Sequence, residues 1–391
     1  MPSHRLSKLH AAGQSVWLDF ITRSILHDGG LERRIRDDGI TGMTSNPTIF
    51  EKALAEGTAY DEQLAEGMRT GAGAGGRTET WELFELVETT DVRDACDRFM
   101  PVFERTEGAD GYVSIEVSPG VAHTAEATVV EARRLWQTVD RPNVMVKVPG
   151  TEEGAKAVRQ LIAEGINVNI TLLFAIDAHR RVIEAYLAGL EERVGRGEPV
   201  DRIASVASFF ISRVDVEVDR RLDAIVTEAA TAMDSARRDL AASLRGRAAI
   251  ANAKLAYRLF REQFAGPRWE ALAARGANYQ RPLWASTGTK NPAYRDVLYV
   301  EQLIGPDTVN TLPPATIDAF DDHGEVARTI DQGVDQAEQT IADLDRLGIS
   351  MREVTDKLLV EGLASFQKSF DGLIAGLERK RELLAREAAT R

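Results

Sequence analysis

Eight short apolar runs, rich in β-branched residues, alternate with amphipathic stretches along the chain, and this alternation limits the fold more than any other feature. Such runs between helical patterns are typical of parallel α/β proteins, in which each strand is followed by a helix that packs on the sheet. Eight units favour a closed (β/α)8 barrel, the TIM-barrel architecture, over an open doubly wound sheet. The predicted strands are 15–20, 39–45, 111–117, 143–148, 167–174, 203–210, 282–287 and 307–312.

Two connections in this pattern are much longer than a barrel requires, and both have helical periodicity. Residues 51–110 predict helices on either side of a glycine-rich loop at 71–76, and residues 214–281 predict charged amphipathic helices. From residue 325 onward, apolar residues again recur at helical spacing. Since no Pro- or Ser-rich linker and no solenoid repeat is evident, we predict one domain over 1–391, with two helical insertions and a helical tail.

The composition is that of a globular protein with an acidic surface. Hydrophobic residues make up 43% of the 391 residues, and the formal net charge of -13 repels polyanions and anionic membranes. The sequence has no basic stripe, no signal-peptide core and no run long enough to span a bilayer, so we expect no nucleic-acid or membrane partner. Cys96 is the only cysteine, and we predict a buried thiol in a protein of the reducing cytoplasm.

The sequence gives no indication of a metal or an organic cofactor. Its six histidines are scattered, without the short spacings that metal ligands adopt. Neither of the glycine motifs that cradle nucleotide phosphates is present after a predicted strand. We therefore expect chemistry that protein side chains perform alone.

The fourth predicted strand carries a lysine on the opposite face from three valines. Successive side chains of a strand alternate between its two faces, so Lys147 points away from Val144, Val146 and Val148. In a barrel the valines would pack against the surrounding helices. Lys147 would then enter the barrel interior.

Polar residues on other predicted strands share this arrangement and fall at or near the carboxyl end of the strand, where barrel enzymes assemble their active sites. They are Asp19, Thr44 with Asn46, Glu116, and Asn169 with Thr171. A single charged residue in an apolar run is usually a strand-edge residue whose charge reaches water. Together with Lys147 they form a set from five strands, which is harder to explain in that way, because buried charges need mutual partners. The set predicts a shared polar site inside the barrel.

An interior amine near carboxyl groups suits the chemistry of carbonyl compounds. Desolvation favours the neutral form of an amine, which can attack a carbonyl carbon and form a Schiff base. The resulting iminium is an electron sink for cleavage or formation of the adjacent C–C bond. Asp19 and Glu116 are candidate proton shuttles, and Thr171 could hold a water between carboxylate and iminium. Without metal-ligand spacing, a metal-stabilised enolate is the less favoured route.

Five segments carry a resemblance to a known family. They are TSNPT at 44–48, VSIEV at 113–117, VKVPGT at 146–151, GINVNITLLF at 165–174 and WASTGTKN at 284–291. In this order and with this strand placement, they resemble the transaldolases. The similarity extends from about residue 16 to about residue 320, and the longer insertions and tail resemble those of the larger bacterial subfamily.

The resemblance implies a cofactor-independent transferase of the pentose phosphate pathway that moves a dihydroxyacetone unit between sugar phosphates. It implies a Schiff base on Lys147, proton transfer in C–C cleavage by Asp19, and a catalytic water near Glu116 and Thr171. The implied substrate contacts are Thr44, Asn46, Asn169, Ser208, Arg213, Ser286 and Lys290, of which Ser208, Arg213 and Lys290 would meet the phosphate. Shorter transaldolases carry an arginine near the position of Lys290, and a lysine supplies a point charge in place of a bidentate fork. We expect a monomer or a homodimer.

Three alternatives remain open from the sequence. A fructose 6-phosphate aldolase would use the same lysine but release free dihydroxyacetone, and the long helical insertions favour transfer instead. A non-catalytic barrel that binds sugar phosphates would keep Arg213 and Lys290 but would not require Lys147, Asp19 and Glu116 on three strands. A metal-dependent aldolase is disfavoured by the scattered histidines.

Overall fold

The eight predicted strands form one closed parallel sheet. The computed structural model describes residues 4–55, 57–70 and 79–390, and within them each strand pairs with the next while the last pairs with the first. The strands are β1 Gln14–Leu18, β2 Gly42–Thr44, β3 Val113–Glu116, β4 Val144–Pro149, β5 Val168–Leu173, β6 Ser205–Phe210, β7 Gln280–Ala285 and β8 Thr308–Leu312. The predicted barrel is confirmed, and the predicted loop at 71–76 lies outside the described residues.

Several strand ends were predicted wrongly, and the differences concern the site. Asp19 lies one residue beyond β1, and Ser286 follows β7 with a φ of 57°, a left-handed conformation that a strand cannot continue. β2 has only three residues because Gly39, with a φ of 71°, ends a π-helical turn shortly before it. Both Asp19 and Ser286 therefore belong to the loops at the carboxyl end of the barrel.

Helices follow the strands and surround the barrel. They are α1 His4–Ala11, α2 Arg23–His27, α3 Gly30–Arg33, α4 Pro47–Ala55, α5 Asp61–Thr70, α6 Glu79–Arg105, α7 Ala125–Val139, α8 Glu152–Glu164, α9 Ile176–Gly195, α10 Ser212–Thr231, α11 Ser235–Ser243, α12 Ala248–Gln263, α13 Pro267–Ala273, α14 Leu298–Gln302, α15 Pro314–His323, α16 Val334–Arg346 and α17 Met351–Thr390. The long tail helix α17 packs against α4, α6 and α10. None of the helices formed by the described residues combines the length and apolarity that a membrane crossing needs.

Alternate residues along the strands separate two hydrophobic cores. The three valines of β4 belong to the larger core between the barrel and its helices. The smaller core fills the barrel interior and includes Trp17, Met145, Val206, Leu283 and Val309, from five different strands. Met145 lies two residues before Lys147, so the alternation read from the sequence is present. The predicted buried thiol, Cys96, lies on α6, where burial raises its pKa.

A polar cluster closes the amino end of the barrel. This amino-end cluster consists of Ser15, Trp17, Asp110 and Arg281. Asp110 accepts hydrogen bonds from the Ser15 hydroxyl and from Trp17 Nε1, the latter at 2.7 Å, and Arg281 Nη2 lies 3.7 Å from its Oδ1. Arg281 also donates to Ser15 Oγ at 2.8 Å. Gly42 makes room for this arrangement, since a Cβ there would lie 2.6 Å from the Trp17 ring.

Candidate active site

Lys147 lies inside the barrel near the carboxyl end of β4, and the residue is only 7% exposed. Its Nζ donates to Glu116 Oε2 at 3.1 Å and to the Ser45 carbonyl at 3.0 Å. The sheet register pairs Lys147 with Glu116 on β3 and with Asn169 on β5. Three polar side chains from adjacent strands therefore lie side by side in the interior.

Glu116 is the buried carboxyl group of this row. Burial raises its pKa, the nearby Lys147 ammonium opposes that rise, and the charge of Asp19 adds to it. A carboxyl group whose pKa is raised exchanges protons closer to neutral pH, as a general acid and base must. The position of Glu116 beside the amine makes it the natural acceptor for a proton of Lys147.

Asp19 is held in place by Thr44. The Thr44 hydroxyl donates to Asp19 Oδ1 at 2.8 Å, and Thr44 itself is buried at the end of β2. Asp19 is half-buried just beyond β1, close enough for its charge to act on Glu116. Asp19 and Glu116 are thus two neighbouring carboxyl groups with different surroundings.

Asn169 is fully buried and is oriented by two hydroxyl groups. Its Nδ2 donates to Ser114 Oγ at 2.9 Å, and Ser208 Oγ donates to its Oδ1 at 2.6 Å. The proton of the Ser208 hydroxyl is therefore committed to Asn169, although the sequence resemblance assigned Ser208 to the phosphate. Thr171 is buried two residues further along β5.

Arg213 lies in the first turn of α10 as a half-buried guanidinium without an acidic partner. None of the described residues accepts a hydrogen bond from it or forms an ion pair with it, and burial lowers its pKa. Its guanidinium carbon lies 5.3 Å from the centroid of the Phe210 ring. The neighbouring Ser212 links the start of α10 to the loop after β7, because its hydroxyl lies 2.9 Å from that of Ser286. A cation in this state is suited to an anionic ligand.

Two other predicted substrate contacts lie outside the interior row. Asn46 is half-buried, and its Oδ1 accepts from the Ile49 amide at 3.1 Å as a cap of α4. Its amide nitrogen donates to no group within the described residues. Lys290 is exposed in the loop after β7, without a hydrogen bond or ion pair to any residue that the structure describes. Neither residue is fixed in the way that Lys147 and Asn169 are.

The tail helix forms part of the wall beside Arg213. A Cβ on Gly362 of α17 would lie 3.1 Å from Leu172 Cδ2 and 3.8 Å from Arg213 Nη1. Leu172 directly follows Thr171 and has a φ of 58°, at the point where the register between β5 and β6 shifts. Non-glycine residues adopt this conformation at a cost that surrounding structure must offset, and such residues concentrate at functional sites. Packing against α17 supplies that support here.

Three contributors to the site were not predicted from the sequence. Ser114 has the same parity as Glu116, so the strand alternation could have identified it. Ser212 is adjacent to Arg213, but a serine at a helix start is more often read as a cap. Ser45 contributes its backbone carbonyl, for which a sequence carries no residue-type signal.

The arrangement as a whole combines one amine, two carboxyl groups and one unpaired guanidinium. Within the described ranges, no group of three or more His, Cys, Asp or Glu residues is placed to hold a metal ion. An amine can form a Schiff base, carboxyl groups can move the protons of that reaction, and the guanidinium can bind a phosphate. These groups suit a phosphorylated carbonyl compound as the substrate.

The sequence is similar to several named proteins over nearly its whole length. The family model described as Transaldolase/Fructose-6-phosphate aldolase matches residues 16–377. "Transaldolase 2" of a Nostoc species is 47% identical over 98% of this chain and 100% of its own length. "Transaldolase" of Trichodesmium erythraeum is 44% identical over 97% and 98%, and "Transaldolase 1" of Streptomyces coelicolor is 46% identical over 96% and 94%, respectively.

Proposed function

Because the chain belongs to the transaldolase/fructose-6-phosphate aldolase family, we propose that it is a transaldolase that works through a Schiff base on Lys147. It transfers a dihydroxyacetone unit between sedoheptulose 7-phosphate and glyceraldehyde 3-phosphate on one side and erythrose 4-phosphate and fructose 6-phosphate on the other. This is the transaldolase reaction of the pentose phosphate pathway. The observation that carries the proposal is a buried amine 3.1 Å from a buried carboxyl group at the carboxyl end of the barrel.

Schiff base formation uses Lys147 and Glu116. Glu116 accepts a proton from the Lys147 ammonium, and the free amine attacks the ketone carbon of the donor sugar. The carbinolamine expels hydroxide, which takes the proton back from Glu116 and leaves as water. The step yields an iminium without a net change in protons. The contact between Nζ and Oε2 and the raised pKa of Glu116 support this assignment.

Cleavage of the C–C bond uses Asp19. Its carboxylate accepts the proton of the hydroxyl next to the breaking bond, the bond electrons move toward the iminium, and an aldose phosphate leaves. The enamine then attacks the acceptor aldehyde, whose new alkoxide takes the proton from Asp19. Thr44, which donates to Asp19 at 2.8 Å, orients the carboxylate. Asn169 and Asn46 hold the hydroxyl groups of the bound three-carbon unit, and Thr171 holds the hydrolytic water near Glu116.

The phosphate is bound by Arg213. A half-buried guanidinium with no acidic partner among the described residues supports this assignment, because an unpaired buried cation is costly until an anion arrives. Ser286 lies near Arg213 through its contact with the adjacent Ser212. Lys290 adds a point charge from the exposed loop, and Ser208 acts mainly through Asn169.

The test separates transfer from simple cleavage. Purified protein is given fructose 6-phosphate with erythrose 4-phosphate, and sedoheptulose 7-phosphate is measured together with free dihydroxyacetone. The proposal predicts sedoheptulose 7-phosphate as the main product, with little free dihydroxyacetone. Release of dihydroxyacetone as the main product would identify the aldolase alternative, and activity abolished by a chelator would favour the metal-dependent route. A binding protein without activity would give neither product.

A second buried lysine provides the matched control. Lys254 is 8% exposed and donates to the carbonyls of Thr329 and Gln332, at 2.9 Å and 2.7 Å, away from the barrel interior. Lys147→Met should abolish product formation. Lys254→Met should retain it in whatever fraction of the protein folds. Equal losses per folded molecule would contradict a special role for Lys147.

A further inference from the structure

Glu88 is a buried carboxyl group that the proposed mechanism does not use. It lies on α6 and is 4% exposed, and none of the described residues donates a hydrogen bond to it or forms an ion pair with it. Asp91, one turn further along α6, is as deeply buried but contacts Arg23 at 2.6 Å and Tyr60 at 2.8 Å. An ionised carboxylate in the position of Glu88 would be expensive, because it lacks such partners.

Glu88 and Glu116 line the same small cavity between α6, α7 and β3. The cavity volume is about 10 Å³, which is room for roughly one water molecule. Glu131 of α7 also lines it, but both the amide and the hydroxyl of Ser118 donate to Glu131 at 2.9 Å. Glu116 in turn accepts a hydrogen bond from Lys147. Of these three glutamates, Glu88 is the one whose carboxyl group has no protein donor among the described residues.

The charges around Glu88 are mostly negative. The charged groups around it are Glu85 on its own helix, Glu116 on β3, Glu131 on α7 and Lys147 on β4. Arg134 of α7 forms ion pairs with Glu85 and Glu131. Burial raises the Glu88 pKa well above the usual value, the charges of Glu116 and Glu131 raise it further, and only Lys147 opposes the rise. Like-charged carboxyl groups in one site rarely ionise together.

We propose that Glu88 is a positioning residue for Glu116: it keeps a proton, so that the two carboxyl groups carry a single negative charge across their shared cavity. That charge matches the one positive charge of Lys147, first as ammonium and then as iminium. The inference rests on the proposed function, in which Glu116 takes a proton from Lys147 and returns it to the departing hydroxide. Ionised Glu88 would add a second negative charge, hold Lys147 as ammonium and make Glu116 less ready to return its proton.

The kinetic test compares two neutral replacements across a pH series. Glu88→Gln keeps the size and the ability to donate a hydrogen bond, so its kcat at neutral pH should stay within about threefold of wild type. In wild type, ionisation of Glu88 should make kcat fall at alkaline pH. Glu88→Gln cannot ionise, so its kcat should fall only at higher pH. Glu88→Leu cannot donate and should lower kcat about tenfold or more in folded protein. Superimposable profiles of wild type and Glu88→Gln, or equal losses in both variants, would overturn the proposal.

Asp91→Asn is the control on the same helix. It removes a buried carboxylate that has a cationic partner, so it should lower stability without moving the alkaline fall of kcat. The folded-state pKa of Glu88 is raised, so its contribution to stability is fully present below the pKa of an unfolded glutamate, about 4.3, and is lost as pH rises through the raised folded pKa. The Tm gain of Glu88→Gln over wild type should therefore grow between about pH 5 and about pH 8. A constant or shrinking difference would contradict a protonated Glu88.

A spectroscopic measurement separates this inference from the proposed function. The infrared difference spectrum between wild type and Glu88→Gln at neutral pH should contain the carbonyl stretch of a protonated carboxylic acid. If that band is present while no Schiff base forms on Lys147, the proposed function fails and the protonated state of Glu88 stands. If a Schiff base forms and the band is absent, the protonated state of Glu88 is refuted and the proposed function stands.

Discussion

The two ends of the barrel interior use the same kinds of side chain to opposite effect. At the amino end, Asp110 accepts from Ser15 and Trp17, and Arg281 lies nearby and donates to Ser15. At the carboxyl end, Arg213 has no acidic partner among the described residues. An apolar layer that includes Met145 and Val206 separates the two ends.

The two ends differ in which side chains remain available to bind a ligand. The amino-end cluster is satisfied internally, so its charges contribute to stability and have little left for a ligand. The carboxyl end holds an amine beside a carboxyl group, and a guanidinium without an acidic partner among the described residues. Burial of charge alone therefore does not distinguish the two ends of this barrel, whereas the presence or absence of internal partners for the buried charges does.

The largest expected effect contrasts one aspartate from each end. Asp19→Asn should lower kcat by a factor of about 10² to 10⁴, as for a general acid and base, while changing the unfolding free energy by less than about 1 kcal/mol. Asp110→Asn should retain kcat in folded protein but cost about 3 kcal/mol, because it breaks a buried charged network. Steady-state kinetics and urea unfolding of both variants give the comparison. Similar kinetic losses in both would erase the distinction between the two ends.

Arginines from the two ends give the next contrast. Arg213→Ala should raise KM for phosphorylated substrates about 10-fold to 100-fold, because it removes charge-assisted hydrogen bonds to the phosphate. Its KM for unphosphorylated sugars should hardly change. Arg281→Ala should lower stability and leave both KM values near wild type. If Arg213→Ala affected phosphorylated and unphosphorylated substrates equally, the residue would shape the site without binding phosphate.

Ser208→Ala distinguishes the two roles considered for this serine. Support of Asn169 through the 2.6 Å hydrogen bond predicts a fall in kcat of about tenfold, with similar losses for phosphorylated and unphosphorylated substrates. A direct phosphate contact, as the sequence resemblance implied, predicts a rise in KM confined to phosphorylated substrates. Parallel kinetics on both substrate classes decide between the roles, and the structure favours the first.

Glu116 gives a pH dependence whose direction follows from its surroundings. Its pKa is raised, so Schiff base formation should slow as pH falls through a value above that of an exposed glutamate. Asp19→Asn removes a charge that raises this pKa, so the same loss should occur at lower pH, by a fraction of a unit to about one unit. The rate of adduct formation, measured against pH in single turnover, reports this step. An unmoved acid limb would mean that Asp19 and Glu116 are not coupled.

The tail helix provides the smallest expected effect. Gly362→Ala places a Cβ 3.1 Å from Leu172 and 3.8 Å from Arg213, so KM for phosphorylated substrates should rise about twofold as these side chains adjust. Alanine also favours the helix by roughly 0.5 to 1 kcal/mol over glycine. The variant should therefore be more stable and bind slightly less well. An unchanged KM would show that α17 passes Arg213 without influencing it.

Much of the barrel could be predicted from the sequence because the signals were local and periodic. Strands of β-branched residues alternate with helices, and the period of two places Lys147 and Glu116 on the inner faces of their strands. The resemblance to transaldolases was confirmed by the matched family. The order of residues along single strands was enough for these conclusions.

The remaining features depend on contacts between distant parts of the chain. The partner of Ser208, the carbonyl of Ser45 and the closeness of Glu88 to Glu116 arise from the packing of separate elements, and no spacing within one element encodes them. The end of β1 was also missed, because the apolar residues Phe20 and Ile21 continue past Asp19. The end of β7 was missed because the sequence does not reveal the left-handed backbone at Ser286.

The most direct measurement of the central claim is to trap the intermediate. The protein is incubated with fructose 6-phosphate and borohydride, digested, and mapped by peptide mass spectrometry, with Lys147→Ala and Lys254→Met treated in parallel. We predict a three-carbon dihydroxyacetone adduct on Lys147 in wild type and in Lys254→Met, and none in Lys147→Ala. An adduct on another lysine, or turnover without any adduct, would contradict the account.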